Sequence, residues 1–123
     1  MCMLRCVTEK GRIIIFACGT GNPYFSTDTG AALKAAQVGA EALLLAKNVD
    51  GVYDSDPKTN PNAKKFDRIS YMDVIAKGLK ATDTTAITMC MENNIPVIAF
   101  SLMEDGAMIK AINGEKVGTY IGN

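Results

Sequence analysis

The stretch "RIIIFACGTGNPYFSTDTG", residues 12–30, joins an apolar run to a loop rich in glycine and hydroxyl side chains. Residues 12–18 form a continuous, β-branched-rich apolar run, which is typical of a strand covered on both faces. Residues 28–39 are rich in alanine and predict a helix, whose first turn Ser26 or Thr27 could cap. A buried strand, a glycine-containing loop and a helix in this order indicate an α/β fold.

The rest of the chain repeats this order of strands and helices. The predicted segments are a strand within residues 42–53, a surface excursion at 54–70, helices at 71–80 and 83–93, a strand at 95–101, a helix at 103–114 and a terminal strand at 118–122. Ser70 could cap the helix at 71–80. This alternation predicts a three-layer αβα sandwich with a mainly parallel sheet. We expect a single domain over residues 1–123, with an atypical N-terminal segment at residues 1–10.

Composition excludes several classes of protein. The 123 residues are 48% hydrophobic, which is enough for a packed core, and 13 basic residues balance 13 acidic ones. A general nucleic-acid or membrane-surface binder would need a basic excess. The four cysteines form no CxxC pair and no histidine accompanies them, so a zinc site is not expected. Free thiols, and the lack of a signal-like or membrane-length apolar run, predict a cytoplasmic protein.

Ligands of parallel α/β sheets bind beyond the carboxyl ends of the strands, where the first predicted loop lies. Its glycines allow close backbone approach, and the helix that follows offers unpaired N–H groups to an anion. Thr20, Asn22, Ser26 and Thr27 can donate hydrogen bonds, and the neighbouring aromatic pair offers a surface for a base or sugar. A plain capped turn would need only one such hydroxyl, so the loop favours a phosphate site.

Two further loops are acidic. In "NVDGVYDSDP", Tyr53 could lie against an adenine or sugar and Asp56 could bind ribose hydroxyls or a metal-bound phosphate, but a solvated acidic turn explains the same residues. In "GLKATDTTA", Asp83 is a good helix N-cap, and it could equally orient a catalytic ammonium or metal beside a transferring phosphoryl group. Both alternatives stay open for each loop.

The combination of GTGNPYFSTD, VDGVYDSDP and GLKATD resembles the bacterial uridylate (UMP) kinases of the amino acid kinase superfamily. The resemblance runs from about Gly11 to Gly122 and implies transfer of the ATP γ-phosphoryl group to UMP with Mg²⁺. It implies that Asp83 organises the phosphoryl-transfer centre. It places the ATP site at Lys47, Asn48, Tyr53 and Asp56. The residues it assigns to UMP are Thr20, Gly21, Asn22, Pro23, Tyr24, Phe25, Ser26, Thr27 and, at the start of the helix behind them, Asp28.

The resemblance concerns only the C-terminal, nucleotide-binding half of that family's fold. The 123 residues contain no KLSGE-like strand with the family's catalytic lysine and no GGGN-like loop, so we expect weak or no activity from this chain alone. The resemblance also implies a homo-oligomer, or a partner that supplies the N-terminal half. Two alternatives remain: a non-catalytic nucleotide-binding or oligomerisation module, and another superfamily member acting on a carbamate, carboxylate or isopentenyl phosphate.

Overall fold

The helices and strands follow the predicted order over most of the chain. The computed structural model describes residues 9–80 and 82–123, so most of the predicted atypical segment at residues 1–10 lies outside the described residues. In chain order the elements are α1 (Thr27–Val38), β1 (Leu43–Lys47), β2 (Arg68–Ile69), α2 (Tyr71–Ala76), α3 (Thr84–Glu92), β3 (Val97–Ser101), α4 (Ala107–Ile112) and β4 (Thr119–Ile121).

The four strands form one sheet in the order β1-β3-β4-β2. Strands β1 and β3 run parallel, with Leu43 opposite Val97 and Lys47 opposite Ser101. Strands β2 and β4 are also parallel, whereas β3 and β4 are antiparallel. The predicted αβα sandwich with a mainly parallel sheet is therefore confirmed, with one antiparallel pairing at its centre.

Helices cover both faces of the sheet because side chains alternate along each strand. On β3, Val97 and Ala99 belong to the larger core, which α1, α2 and α3 cover. Ile98 and Phe100 point the other way and pack with Ala107 of α4 in a smaller core. The strands thus form the middle layer of three.

The prediction of a strand at residues 12–18 is wrong. Residues 12–17 are irregular in the structure, and the Ile13 and Ile15 side chains are 95% and 90% exposed. An apolar run becomes a strand only where neighbouring strands accept its backbone hydrogen bonds. None of the strands formed by residues 9–80 and 82–123 pairs with this segment, and β1 stays at an edge of the sheet.

The predicted starts of α1, α2 and α3 agree with the structure to within one residue. The predicted start of α4 at residue 103 is wrong: α4 begins at Ala107, because residues 102–106 form turns that end at Gly106 in the left-handed conformation. Ser26 caps α1 by accepting a hydrogen bond from the Thr29 N–H at 3.2 Å, and Ser70 caps α2 through the Asp73 N–H at 3.1 Å. Asp83 occupies the N-cap position of α3, but its side chain makes no capping hydrogen bond. The carboxylate of Asp83 is therefore not used to hold its own helix.

No helix in the part of the chain that the structure describes is both long and apolar enough to cross a membrane.

Candidate functional site

The first predicted loop folds onto itself and forms a shallow depression. The Thr20 hydroxyl accepts from the Asn22 N–H at 3.1 Å, and the Gly21 N–H donates to the Cys18 carbonyl at 3.2 Å. Pro23 and Tyr24 form the exposed tip of the loop, with the Tyr24 ring fully exposed. The depression measures about 500 Å³ and is lined by Cys18, Gly19, Thr20, Gly21, Asn22, Phe25, Ser26 and Thr27.

The start of α1 lies directly behind this loop. A Cβ atom at Gly30 would lie 3.4 Å from the backbone of Gly19 and Thr20, so the helix packs directly against the loop at this position. The first-turn N–H groups of α1 are thereby placed close to the loop backbone. A helix N-terminus beside a hydroxyl-rich loop can bind a phosphate group.

Asp28 joins three segments that lie far apart in the sequence. Its Oδ2 atom accepts from the Lys47 ammonium in a short ion pair and from the Thr82 hydroxyl at 3.1 Å. Only 17% of the Asp28 side chain and 23% of the Lys47 side chain are exposed. The start of α1, the end of β1 and the loop before α3 therefore meet at one carboxylate.

Sequence reasoning named Asp28 and Lys47 but assigned them to different ligands and did not pair them. A signal was available, since Lys47 shares a strand face with Leu43 and Leu45, which pack in the larger core with α1. Thr82 was missed altogether. Its neighbour Asp83 has the stronger preference for the N-cap position and was selected instead.

Tyr53 is held by a charged cluster at the start of the second loop. Its hydroxyl donates to Asp50 Oδ1 at 2.6 Å, and the Lys65 ammonium lies 3.4 Å from Asp50 Oδ2. The Tyr53 hydroxyl, with a further contribution from Lys65, lowers the pKa of Asp50, and the same hydrogen bond raises the pKa of Tyr53. An antiparallel bridge between Tyr53 and Lys65 closes the predicted surface excursion at its base.

Tyr53 and Asp56 share a cleft of about 420 Å³. Asp56 accepts from the Lys58 N–H at 2.9 Å and so shapes the turn at one side of the cleft. Lys47 and Asn48, the other residues expected at the ATP site, do not line it. The cleft is lined by Val49, Gly51, Tyr53, Asp54, Ser55, Asp56, Pro57, Lys58, Lys77, Gly78, Leu79 and Lys80. Sequence reasoning did not select Lys58, Lys77 and Lys80, which give the lining of the cleft three positive charges.

Thr119 fixes the second loop to the sheet. This threonine of β4 is fully buried, and its hydroxyl accepts from the Val52 N–H at 2.9 Å and donates to the Phe66 carbonyl. Gly51 packs against the same hydroxyl so closely that a Cβ atom there would collide with it. The backbone beside the cleft is therefore tied to β4 by hydrogen bonds through Thr119.

Asp83 leaves its carboxylate exposed at the start of α3, one residue from the buried Thr82. Among residues 9–80 and 82–123, no group of three or more His, Cys, Asp or Glu side chains is placed to hold a metal ion.

Comparison with known proteins decides the family. Residues 3–101 match the model of the amino acid kinase family. The chain belongs to the amino acid kinase family. One relative, the chloroplastic uridylate kinase PUMPKIN of Arabidopsis thaliana, is 60% identical over 114 residues, which cover 93% of this chain and 34% of the relative. A uridylate kinase of Streptomyces avermitilis is 57% identical over 116 residues, covering 94% of this chain and 46% of the relative.

Solved structures of the amino acid kinase family agree with the observed fold. A UMP kinase from Bacillus anthracis superimposes with a TM-score of 0.90 at 35% identity, covering 96% of this chain and 49% of that protein. A UMP kinase from Ureaplasma parvum gives a TM-score of 0.87 at 39% identity, with coverages of 98% and 52%. The chain thus spans about a third to a half of the length of these relatives.

Proposed function

We propose that this chain is the nucleotide-binding half of a uridylate kinase, an enzyme that transfers the γ-phosphoryl group of ATP to UMP and releases UDP and ADP in pyrimidine nucleotide biosynthesis. One observation carries the proposal: the Asp28 carboxylate, in the first motif, bonds to Lys47 just before the second motif and to Thr82 in the third. Relatives named uridylate kinases, 57–60% identical to the chain, support the same reaction.

In this proposal the first loop binds UMP. The hydroxyl-lined depression in front of α1 supports this assignment, because a phosphate there would meet both side-chain hydroxyls and helix N–H groups. The exposed rings of Tyr24 and Phe25 would lie beside the base or ribose. The proposed UMP residues are Thr20, Gly21, Asn22, Pro23, Tyr24, Phe25, Ser26, Thr27 and Asp28.

ATP would bind along the second loop, with Tyr53 and Asp56 in the 420 Å³ cleft and Lys47 and Asn48 nearer to the first loop. Asp83 would orient the phosphoryl-transfer centre, since its exposed carboxylate is not used in capping α3. Magnesium, when bound with ATP, neutralises charge on the β- and γ-phosphates. The protein's own contribution would be positioning: UMP is held at the start of α1, and ATP is held beside the ends of the parallel strands.

We further propose that this chain alone turns over slowly or not at all and that a homo-oligomer or an additional N-terminal half completes it. The exposed isoleucines Ile13 and Ile15 support this, as does an apolar groove of about 450 Å³ beside α1 that includes Phe16 and Leu43. A cytoplasmic location remains a prediction, because the Arabidopsis relative is chloroplastic.

One observation favours a second candidate, a non-catalytic nucleotide-binding module. The ammonium of Lys47 is already paired with Asp28, so it offers less free positive charge to a transferring phosphoryl group. Such a module would bind ATP without phosphorylating UMP.

A coupled assay of ADP formation with ATP, magnesium and UMP separates the two candidates. The assay uses the 123-residue chain, alone and with an added N-terminal half of a relative. We expect UMP-dependent turnover with the added half and a loss of at least about 100-fold in Asp83→Asn, because that change removes a charge at the transfer centre.

The matched control is Asp105→Asn, since Asp105 is exposed and precedes α4 on the opposite face of the sheet. We expect this variant to keep wild-type turnover. ATP binding by calorimetry without turnover in either preparation would favour the non-catalytic module, and the absence of both binding and turnover would contradict both candidates.

A further inference from the structure

Thr82 is a buried threonine whose hydroxyl reaches across the site. Only 8% of the residue is exposed, although it lies next to the exposed N-cap of α3. Its hydroxyl does not serve that helix but donates to Asp28 Oδ2 at 3.1 Å, 54 residues away in the sequence. A buried side chain committed to a distant carboxylate fixes the position of that carboxylate.

Two donors converge on one oxygen of Asp28. Lys47 and Thr82 both bind Oδ2, so neither donor uses Oδ1. The Lys47 ammonium has three N–H donors, of which the Asp28 ion pair uses one. The hydroxyl of Thr82 therefore restricts the carboxylate, and the carboxylate in turn restricts where the ammonium can lie.

The ammonium of Lys47 is held where anionic ligands of this kind of sheet bind. Lys47 is the last residue of β1. The carboxyl end of β1 lies beside the carboxyl end of β3, because the two strands are parallel. Lys47 is also held against the first turn of α1, whose N–H groups attract anions. The two N–H donors that Asp28 leaves unused can therefore meet a phosphate group.

We infer that Thr82 is a positioning residue that acts through Asp28 to hold the Lys47 ammonium against the phosphates of bound ATP. The inference rests on the proposed function and adds to it a residue and a cation. This positioning role differs from a purely structural one. In a structural role, Thr82 would only tie the start of α3 to α1, and its loss would lower stability without affecting phosphate binding.

The test measures binding of ATP with magnesium to the full chain by calorimetry, for wild type, Thr82→Val and Thr82→Ser. Valine keeps the shape and removes the hydroxyl, so we expect the Kd for ATP to rise about tenfold, as for loss of one hydrogen bond to a charged group. Serine keeps the hydroxyl and should restore the Kd to within about twofold of wild type.

The matched control is Thr88→Val. Thr88 lies on α3, the helix that follows Thr82, and its hydroxyl donates to the Thr84 carbonyl at 2.9 Å, away from Asp28. We expect this variant to bind ATP as wild type does. Urea unfolding of every variant shows whether a change in Kd accompanies a loss of folding, and Thr82→Ala replaces the valine variant if valine prevents folding.

A double-mutant cycle with Lys47→Met separates positioning from structure. If Thr82 acts through Lys47, removing its hydroxyl in the Lys47→Met background should leave the ATP Kd unchanged. An additive loss in the double variant, or a wild-type Kd in Thr82→Val, would overturn the inference while leaving the proposed function in place. A wild-type chain that binds no ATP would contradict the proposed function and, with it, the inference.

Discussion

Tyr53 shows how one side chain serves two purposes at the second loop. Its ring lines the cleft, whereas its hydroxyl is bonded to Asp50 at 2.6 Å beside Lys65. The hydroxyl therefore shapes the loop, and the ring is the part that remains for a ligand. Sequence reasoning predicted the ring's role from the residue type, but the Asp50 partner became visible only in three dimensions.

The hydrogen bond from Tyr53 predicts how stability depends on acid. It is the largest cause of the lowered pKa of Asp50, so the folded state binds a proton on Asp50 less readily than the unfolded state does. The resulting stabilisation is present above the ordinary aspartate pKa and is lost as the pH falls through the lowered value in the folded state. Tyr53→Phe should therefore lose stability near neutral pH and show a flatter acid limb than wild type.

Urea unfolding midpoints measured from about pH 7 down to pH 2 would check this prediction. Tyr24→Phe is the matched control, because the Tyr24 ring is fully exposed and should not influence the acid limb. Parallel acid limbs for wild type and Tyr53→Phe would show that the Asp50 bond makes no contribution.

Helix α1 is the element that presents the first loop to a ligand. Ser26 caps its start, and Gly39 ends it in the left-handed conformation at φ 69°. Both ends were readable from local sequence, because N-caps and glycine C-caps depend on a few neighbouring residues. Its position in the fold depends instead on tertiary packing, as at Gly30, where an added Cβ atom would lie in contact with the loop backbone.

Loss of the cap at Ser26 should destabilise the chain by about 1 kcal/mol, since Ser26→Ala leaves the Thr29 N–H without its acceptor. Urea unfolding gives this value directly. Ser55→Ala is a suitable comparison, because the Ser55 hydroxyl donates to Asp54 and accepts from Asn60, both in the exposed segment after β1. An equal loss in both variants would argue against a specific capping contribution.

At the scale of the whole molecule, the apolar segment around Ile13 and Ile15 stands apart from the core. Both side chains are at least 90% exposed, whereas Ile87 in α3 is completely buried. Exposed apolar groups of this kind often mark an interface. Phe16, which belongs to the same apolar run, lines the apolar groove beside α1.

Substituting both isoleucines with lysine should leave the free energy of unfolding of the monomer within about 0.5 kcal/mol of wild type, because neither side chain is buried. Ile87→Ala, the buried comparison, should lose about 2–5 kcal/mol. Urea unfolding at low protein concentration measures both. A large loss in the Ile13 and Ile15 double variant would show that the segment packs in the folded chain.

Particular residues show how far the sequence alone could go. The run at residues 95–101 predicted β3, and Ser70 predicted the start of α2, because both signals are local. The apolar run at residues 12–18 wrongly predicted a strand, since the pattern of one segment does not reveal whether a partner strand lies beside it. The candidate site was predicted loop by loop, but its residues stayed unconnected.

The sequence by itself determined most of the helices and strands, the serine caps of α1 and α2, and the family, since these depend on local pattern and on motifs that can be recognised without coordinates. Only the tertiary structure decided that Asp28, Lys47 and Thr82 meet, and that Ile13 and Ile15 stay outside the core. The physical reason is the distance along the sequence over which each kind of interaction acts. Propensity and capping act over a few residues, whereas an ion pair across 19 positions and a hydrogen bond across 54 exist only once the sheet brings its loops together.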